Sequence, residues 1–416
     1  MELLDIAAIL LTLASLFAYI NHRWIKLPIT IGIMLISLVL SLAMIGIGQF
    51  WSPLTDHARH FVNSIDFNEA LMNGMLSYLL FAGALHVNLH DLKMQKRIVA
   101  VMATVGVVIT TFSVGILAYG VFMLMNVEVP FIWCLVFGSL IAPTDPVAVL
   151  GILKTAGAPK SLKTKITGES LFNDGVGVVI YLVLAGIAIG GHDVTAGGVA
   201  MDFVKEAGGG IAIGLFLGVI AYTLLKSIDN YHVEILITLA LVTGGYRLAS
   251  YYHLSGPLAM VVAGLMIGNH ARENAMSERT RSQVDTFWEI IDEVLNALLF
   301  LLIGLEIFLF ESINPAVLVV GIILIPMILM VRFGSTWLPV FILSKYRKFT
   351  PGVVKILTWG GIRGGISVAL ALAIPKDVGV VREYILLVTY IIVIFSIAVQ
   401  GLTLKPLIAK SLAKNK

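Results

Sequence analysis

The sequence predicts an all-α integral membrane protein with thirteen transmembrane helices, arranged as two inverted six-helix repeats and containing two discontinuous helices. Three observations carry this. Apolar residues make up 58% of the chain and charged residues 13%, with a mean hydropathy of +0.97, more apolar surface than a water-soluble globular domain needs. Thirteen stretches reach or approach the roughly 20 apolar residues that a span requires. Clusters of proline and glycine interrupt the fifth and the twelfth of them.

The spans run 3–20, 28–48, 69–90, 98–122, 131–153, 165–190, 203–225, 233–251, 255–268, 287–310, 316–343, 352–374 and 383–404. They leave a single transmembrane domain over 1–416 and no room for a sizeable soluble one. The first stretch reads as a retained helix, because Met1-Glu2 gives no basic segment and no small-residue cleavage site follows Ile20. Spans one to six (about 3–190) and eight to thirteen (about 233–404) form corresponding halves joined by span seven (203–225). The odd number of intervening crossings inverts one half relative to the other. This correspondence comes from hydropathy and break position, since the halves share no obvious residue-level similarity.

Orientation follows from the basic residues when loops are assigned alternately to the two sides. With the N-terminus outside, the cytoplasmic loops hold 21 of the 28 Lys and Arg residues, among them Arg23, Lys26, Lys163, Arg347, Lys348, Lys405, Lys414 and Lys416. The outer side holds Arg59, Lys205, Arg247, Lys376 and Arg382, while Arg332 and Arg363 lie within spans. The expected topology is therefore an external N-terminus and a cytoplasmic C-terminus in a cell membrane. A net charge of +3 reflects this asymmetry and does not imply nucleic acid. The single Cys134 cannot form an intrachain disulfide.

The interruptions are chemically specific. In span five, Ala142-Pro143-Thr144-Asp145-Pro146 places two prolines without amide hydrogens at mid-depth, freeing carbonyls near Ser139 and Ala142. In span twelve, Gly360-Gly361-Ile362-Arg363-Gly364-Gly365 brackets a charge with four glycines. Paired broken helices at corresponding places in inverted repeats point to a secondary-transporter site at the midplane. Half-helix ends carry partial charges, which Asp145 and Arg363 are placed to offset. Asp145 is also open to a direct role in cation binding.

Span six opens with Gly168-Glu169-Ser170-Leu171-Phe172-Asn173-Asp174-Gly175. Ser170 and Asp174 stand four apart on one helix face, with Glu169 and Asn173 on the adjacent row. Ionisable groups at membrane depth are costly and by default mark ion or proton pathways. Asp174 supplies the anionic oxygen that a hard cation takes, with Ser170, Thr144 and the freed carbonyls as neutral oxygens. Burial disfavours the charged form of a carboxylate, so a proton and a cation compete for Asp174. Arg332, inside span eleven, needs a buried partner, and Glu169 is the natural one. Glu306 near the end of span ten reads as structural or as part of a vestibule. His86, His253 and His270 read as interfacial histidines.

These motifs, together with Ser255-Gly256-Pro257-Leu258-Ala259 and Phe300-Leu301-Leu302-Ile303-Gly304-Leu305-Glu306, resemble those of the NhaP/NHE-type sodium/proton exchangers over nearly the whole chain. The resemblance implies a homodimer in the lipid bilayer, two crossed broken helices in a six-helix core, and an elevator-like movement of that core. It implies that Asp174 carries the sodium ion or proton with help from Thr144, Ser170 and Asn173, and that Glu169 pairs with Arg332. Asparagine before the aspartate goes with electroneutral one-for-one exchange. No resident cofactor is implied, sodium and protons being the cargo.

One departure is Phe81-Ala82-Gly83, where many members carry an acid; its loss leaves the choice among sodium, potassium and lithium open. A long cytoplasmic tail like that of animal exchangers is not expected. A channel is the reading of a different class, but the sequence shows no ring-forming filter repeat; for an intramembrane aspartyl protease built on Asp145 and Asp174, the usual Tyr-Asp and Gly-x-Gly-Asp contexts are absent. A symporter for an organic anion shares the architecture, but a lone carboxylate beside asparagine suits a bare cation better.

Overall fold

The computed structural model describes residues 3–48, 60–62, 65, 67–190, 196–310, 314–345, 349–350 and 352–413. Of the basic residues used for orientation, Arg59, Arg347, Lys348, Lys414 and Lys416 lie outside them. Every regular element among the described residues is helical, as expected where the surrounding lipid offers the backbone no hydrogen bonds. The first half comprises α1 (Leu3–Ile20), α2 (Ile29–Gly48), α3 (Leu76–Leu85), α4 (Leu89–Ala103), α5 (Val105–Leu124), α6 (Phe131–Ile141), α7 (Val147–Thr155) and α8 (Lys160–Gly190). Then follow α9 (Ala196–Lys226), α10 (Tyr231–Tyr251), α11 (Gly256–Met266), α12 (Glu278–Leu305), α13 (Pro315–Ser344), α14 (Val353–Trp359), α15 (Gly365–Leu372), α16 (Val380–Phe395) and α17 (Leu402–Ala413).

Eight helical runs among the described residues are long and apolar enough to cross a membrane: 4–25, 29–47, 89–124, 160–190, 204–226, 231–251, 315–344 and 380–411. Their large exposed side chains include many Leu, Ile, Val and Phe residues, as at Leu16, Phe216, Ile322 and Phe341, the surface that lipid requires. The chain is thus an all-helical, multi-pass membrane protein.

The boundary between spans three and four differs from the sequence reading. Span three was expected to run to residue 90, but α3 ends at Leu85 and α4 starts at Leu89. The Asn88 side chain accepts from the Asp91 amide at 3.1 Å, an N-cap that starts a new helix. Polar residues Asp91, Lys93, Lys96 and Arg97 then decorate α4 before it continues into apolar α5.

Two packing groups organise the bundle. Helices α2, α3, α9, α10, α11 and α12 pack among themselves; α4, α5, α6, α8, α13, α15 and α16 form the second group. The second has its own apolar core, with Phe122, Phe137, Leu324 and Val388 at its centre. Both interrupted helices, α6/α7 and α14/α15, border this group, and the space between the groups holds the site.

Candidate functional site

Residues 142–146 leave the helix between α6 and α7, because Pro143 and Pro146 lack amide hydrogens and disfavour helix at the residues before them. Between α14 and α15, residues 361–364 are likewise non-helical. The two breaks meet. The Asp145 amide donates to the Ile362 carbonyl at 2.8 Å. Arg363 crosses to the other break, its Nη1 donating to the carbonyls of Ala142 at 2.6 Å and Pro143 at 2.8 Å.

Those carbonyls terminate α6, where the helix dipole gathers partial negative charge. At the other side of the break, Asp145 Oδ1 accepts from the Val147 amide at 2.8 Å, at the start of α7, where the dipole is positive. Each charge therefore sits at the helix end of opposite sign. A Cβ at Gly364 would run into the Asp145 carboxylate, and one at Gly177 of α8 would run into the Pro143 ring. Glycine at both positions permits the close approach.

Helix α8 brings the remaining polar groups. Glu169 accepts from Arg332 Nη1 of α13 at 2.5 Å, both side chains being buried, and Arg332 Nη2 also reaches the Leu357 carbonyl in α14 at 3.4 Å. Ser170 and Asn173 both meet Thr144. The Thr144 and Ser170 hydroxyls share a hydrogen bond of 2.9 Å. Asn173 Nδ2 donates to Thr144 Oγ1 at 2.9 Å, and its Oδ1 accepts from the Thr144 amide at 3.3 Å.

Asp174 joins none of these contacts. The residue is 5% exposed, and its carboxylate accepts no hydrogen bond among the described residues. It lines a cavity of about 1330 Å³ that also reaches Thr144 and Asp145, and Asp145 is within electrostatic reach of it.

The predicted residues thus divide by partner rather than by helix row. Thr144, Ser170 and Asn173 come together, Asp174 is the next residue along the helix, and Glu169 goes to Arg332. One expectation changes. The Ala142 carbonyl, anticipated as a cation oxygen, is engaged by Arg363 together with that of Pro143, because a buried guanidinium needs acceptors. Glu306 and His253 do not line the cavity, whereas His86 does.

The family model described as "Sodium/hydrogen exchanger, transmembrane" matches residues 11–410. The chain belongs to the sodium/hydrogen exchanger family. It is 48% identical over 417 residues to the Na(+)/H(+) antiporter NhaP of Pseudomonas aeruginosa, covering 98% of this chain and 97% of that protein. It is 34% identical over 411 residues to the Na(+)/H(+) antiporter NhaH of Halobacillus dabanensis, covering 97% of each. The structure of the sodium proton antiporter MjNhaP1 from Methanocaldococcus jannaschii shares its fold, with a TM-score of 0.75 at 22% identity over 99% of this chain and 100% of that one.

In this NhaP-type family member the structure adds residues that sequence reasoning missed. Asp285, Glu289, Asp292, Glu293 and Asn296 of α12 line the same cavity as Asp174. Asp285 pairs with Arg272 at 2.6 Å, while Asn296 Nδ2 donates to Asp292 Oδ1 at 3.1 Å. Asp292 is also within electrostatic reach of Asp145. Reading 287–310 as one apolar span hides this stripe. The signal is its spacing, since 285, 289, 292 and 296 fall on one helical face.

Proposed function

We propose that the protein exchanges sodium for protons across the cell membrane, one for one, with proton and cation competing for Asp174. The observation that carries this reading is the Asp174 carboxylate, buried, without a hydrogen bond among the described residues, and bordering the cavity. Thr144 and Ser170 supply neutral oxygens: with Thr144 as the donor to Ser170, the Thr144 oxygen accepts only from Asn173 and the Ser170 oxygen only from Thr144 among the described residues, so each keeps one lone pair for a cation. The similarity to Na(+)/H(+) antiporters supports sodium. Asn173 holds Thr144 and cannot ionise, which supports a single proton per cation. Asp145 and Arg363 neutralise the half-helix ends, and Glu169 with Arg332 is a structural pair. The α12 acids enrich the approach to the site in cations.

The architecture of this reading has thirteen crossings: the eight long runs plus 67–85, 131–155, 256–274, 278–305 and 353–372. The repeats span about 3–190 and 233–404, with 203–225 linking them and the broken helices crossing. Family resemblance supports a homodimer and an elevator-like movement of the second packing group against the first. Lys26, Lys163 and Lys405 line the cavity, and all belong to loops assigned to the cytoplasm. On that topology, with the C-terminus inside and the N-terminus outside, the state is inward-open. Towards the other face, the Tyr390 hydroxyl of α16 donates to the Ile303 carbonyl of α12 at 2.6 Å, closing the two groups together.

Two expected results test this. A Glu289→Cys variant reacts with a membrane-impermeant thiol reagent supplied to the cytoplasmic face and is spared from the outer face; buried Cys134 gives little background. Labelling only from outside would reverse the topology. In proteoliposomes under an imposed pH gradient, sodium drives proton movement at a rate unchanged by clamping the membrane potential. Exchange that itself generates a potential would contradict one-for-one stoichiometry, and flux with potassium or lithium in place of sodium would reassign the cation.

A further inference from the structure

The second break has a support that the proposed function does not use. Between α16 and α17 the helix widens into a π turn, Ser396–Gly401, a form that often marks functional places in a helix. Ser396 Oγ accepts from the Arg363 amide at 2.9 Å and donates to Gln400 Oε1 at 2.6 Å. Gln400 Nε2 donates to the Trp359 carbonyl at 3.0 Å. Ser396, Gln400 and Arg363 are all buried.

The arrangement satisfies both ends of the break at once. The Trp359 carbonyl is one of the orphan acceptors at the end of α14, and the Arg363 amide lies just ahead of α15, so neither has a helical partner. Two side chains four residues apart supply both. Arg363, fixed through its backbone in this way, sends its guanidinium to the Ala142 and Pro143 carbonyls. The next residue is Thr144, whose hydroxyl meets Ser170 and Asn173. A continuous series of hydrogen bonds and one peptide link thus runs from Gln400 to the oxygens beside Asp174.

We infer that Ser396 and Gln400 are positioning residues for cation binding: they set the reach of Arg363 and, through it, the place of the Thr144 hydroxyl relative to Asp174. This rests on the proposed exchange. Packing alone predicts something different, because two satisfied buried groups that only stabilise the fold would change melting temperature and yield without changing the cation concentration at half-maximal rate.

The test measures sodium-dependent proton exchange and melting temperature on the full-length protein for wild type, Ser396→Ala, Ser396→Thr, Gln400→Leu and Thr403→Val. Thr403 is the control: it lies in α17 just past the π turn, and its hydroxyl accepts from the Trp359 indole at 2.8 Å and donates to backbone carbonyls of the preceding turn, touching neither the Ser396 nor the Gln400 side chain. The expected result is a half-saturating sodium concentration raised about tenfold in Ser396→Ala and Gln400→Leu, the equivalent of one buried hydrogen bond. The maximal rate changes less, Ser396→Thr restores affinity, and Thr403→Val leaves it unchanged. Unaltered affinity in folded Ser396→Ala overturns the inference. So does a parallel loss of yield and activity across all four variants, which marks the contacts as structural only. Absence of exchange by wild type in the same vesicles would strike the proposed function instead, so the two failures are distinguishable.

Discussion

The Asp174→Asn variant is expected to fold and insert like wild type but to exchange no cation for protons. Asparagine preserves the size of the side chain and the polar character of the site, and Asp174 has no hydrogen-bond partner among the described residues that the change would strand. The structural cost is therefore small, and relief from burying a carboxylate works in the opposite direction. What disappears is the only group in the Thr144, Ser170, Asn173 and Asp174 cluster that is able to hold a negative charge and release a proton. Activity falls to that of empty liposomes while the melting temperature stays the same or rises. Wild-type exchange by a properly inserted Asp174→Asn protein would end the assignment, and Asp145 would be the next carboxylate to test.

A second large effect belongs to Glu169 and Arg332, and here the loss is of stability. Their 2.5 Å contact is buried at both ends. Removing one member of a buried pair leaves the other as an uncompensated charge, at a cost of about 3–5 kcal/mol. Glu169→Gln and Arg332→Gln should each lower yield and melting temperature sharply. The double variant should lose less than the sum of the two, with a coupling energy of about 1–3 kcal/mol. Strict additivity would show that the two side chains do not act as a unit. Either single variant will transport poorly, but its defect tracks with folded protein, unlike that of Asp174→Asn.

The sequence makes most of this arrangement legible for a physical reason: a membrane punishes buried polarity, so each polar residue inside a span is informative. Asp145, Glu169, Asp174, Arg332 and Arg363 stand out against apolar surroundings, and the prolines and glycines beside them mark the places where helices must unwind. The long helices α8, α9, α10 and α13 are equally plain, because twenty or more apolar residues admit few alternatives.

Partner choice is harder to read. Helical spacing places Asn173 beside Glu169, yet Asn173 turns to Thr144, 29 residues earlier, because the first break carries Thr144 against α8. The engagement of the Ala142 and Pro143 carbonyls by Arg363 is a contact across 221 and 220 residues, beyond the reach of local pattern. The acids of α12 escape for a different reason. They lie on the polar first half of a helix whose second half is strongly apolar, and a hydropathy window averages the two. The Asn88 cap is similarly concealed, a single polar residue that starts a new helix three residues after α3 ends.

The most direct measurement of the central claim is the apparent sodium affinity of the wild-type protein in proteoliposomes as a function of pH. If one carboxylate serves both ions, protons bound to Asp174 must leave before sodium binds. The half-saturating sodium concentration then rises as pH falls, approaching about tenfold per pH unit where Asp174 is mostly protonated, as mass action requires. The maximal rate need not change in step. At high pH, scarce protons limit the return movement, so the rate at fixed sodium is bell-shaped. A half-saturating sodium concentration that stays constant across the acid limb, while the rate still falls, would show that proton and cation occupy separate sites and would contradict the competition at Asp174.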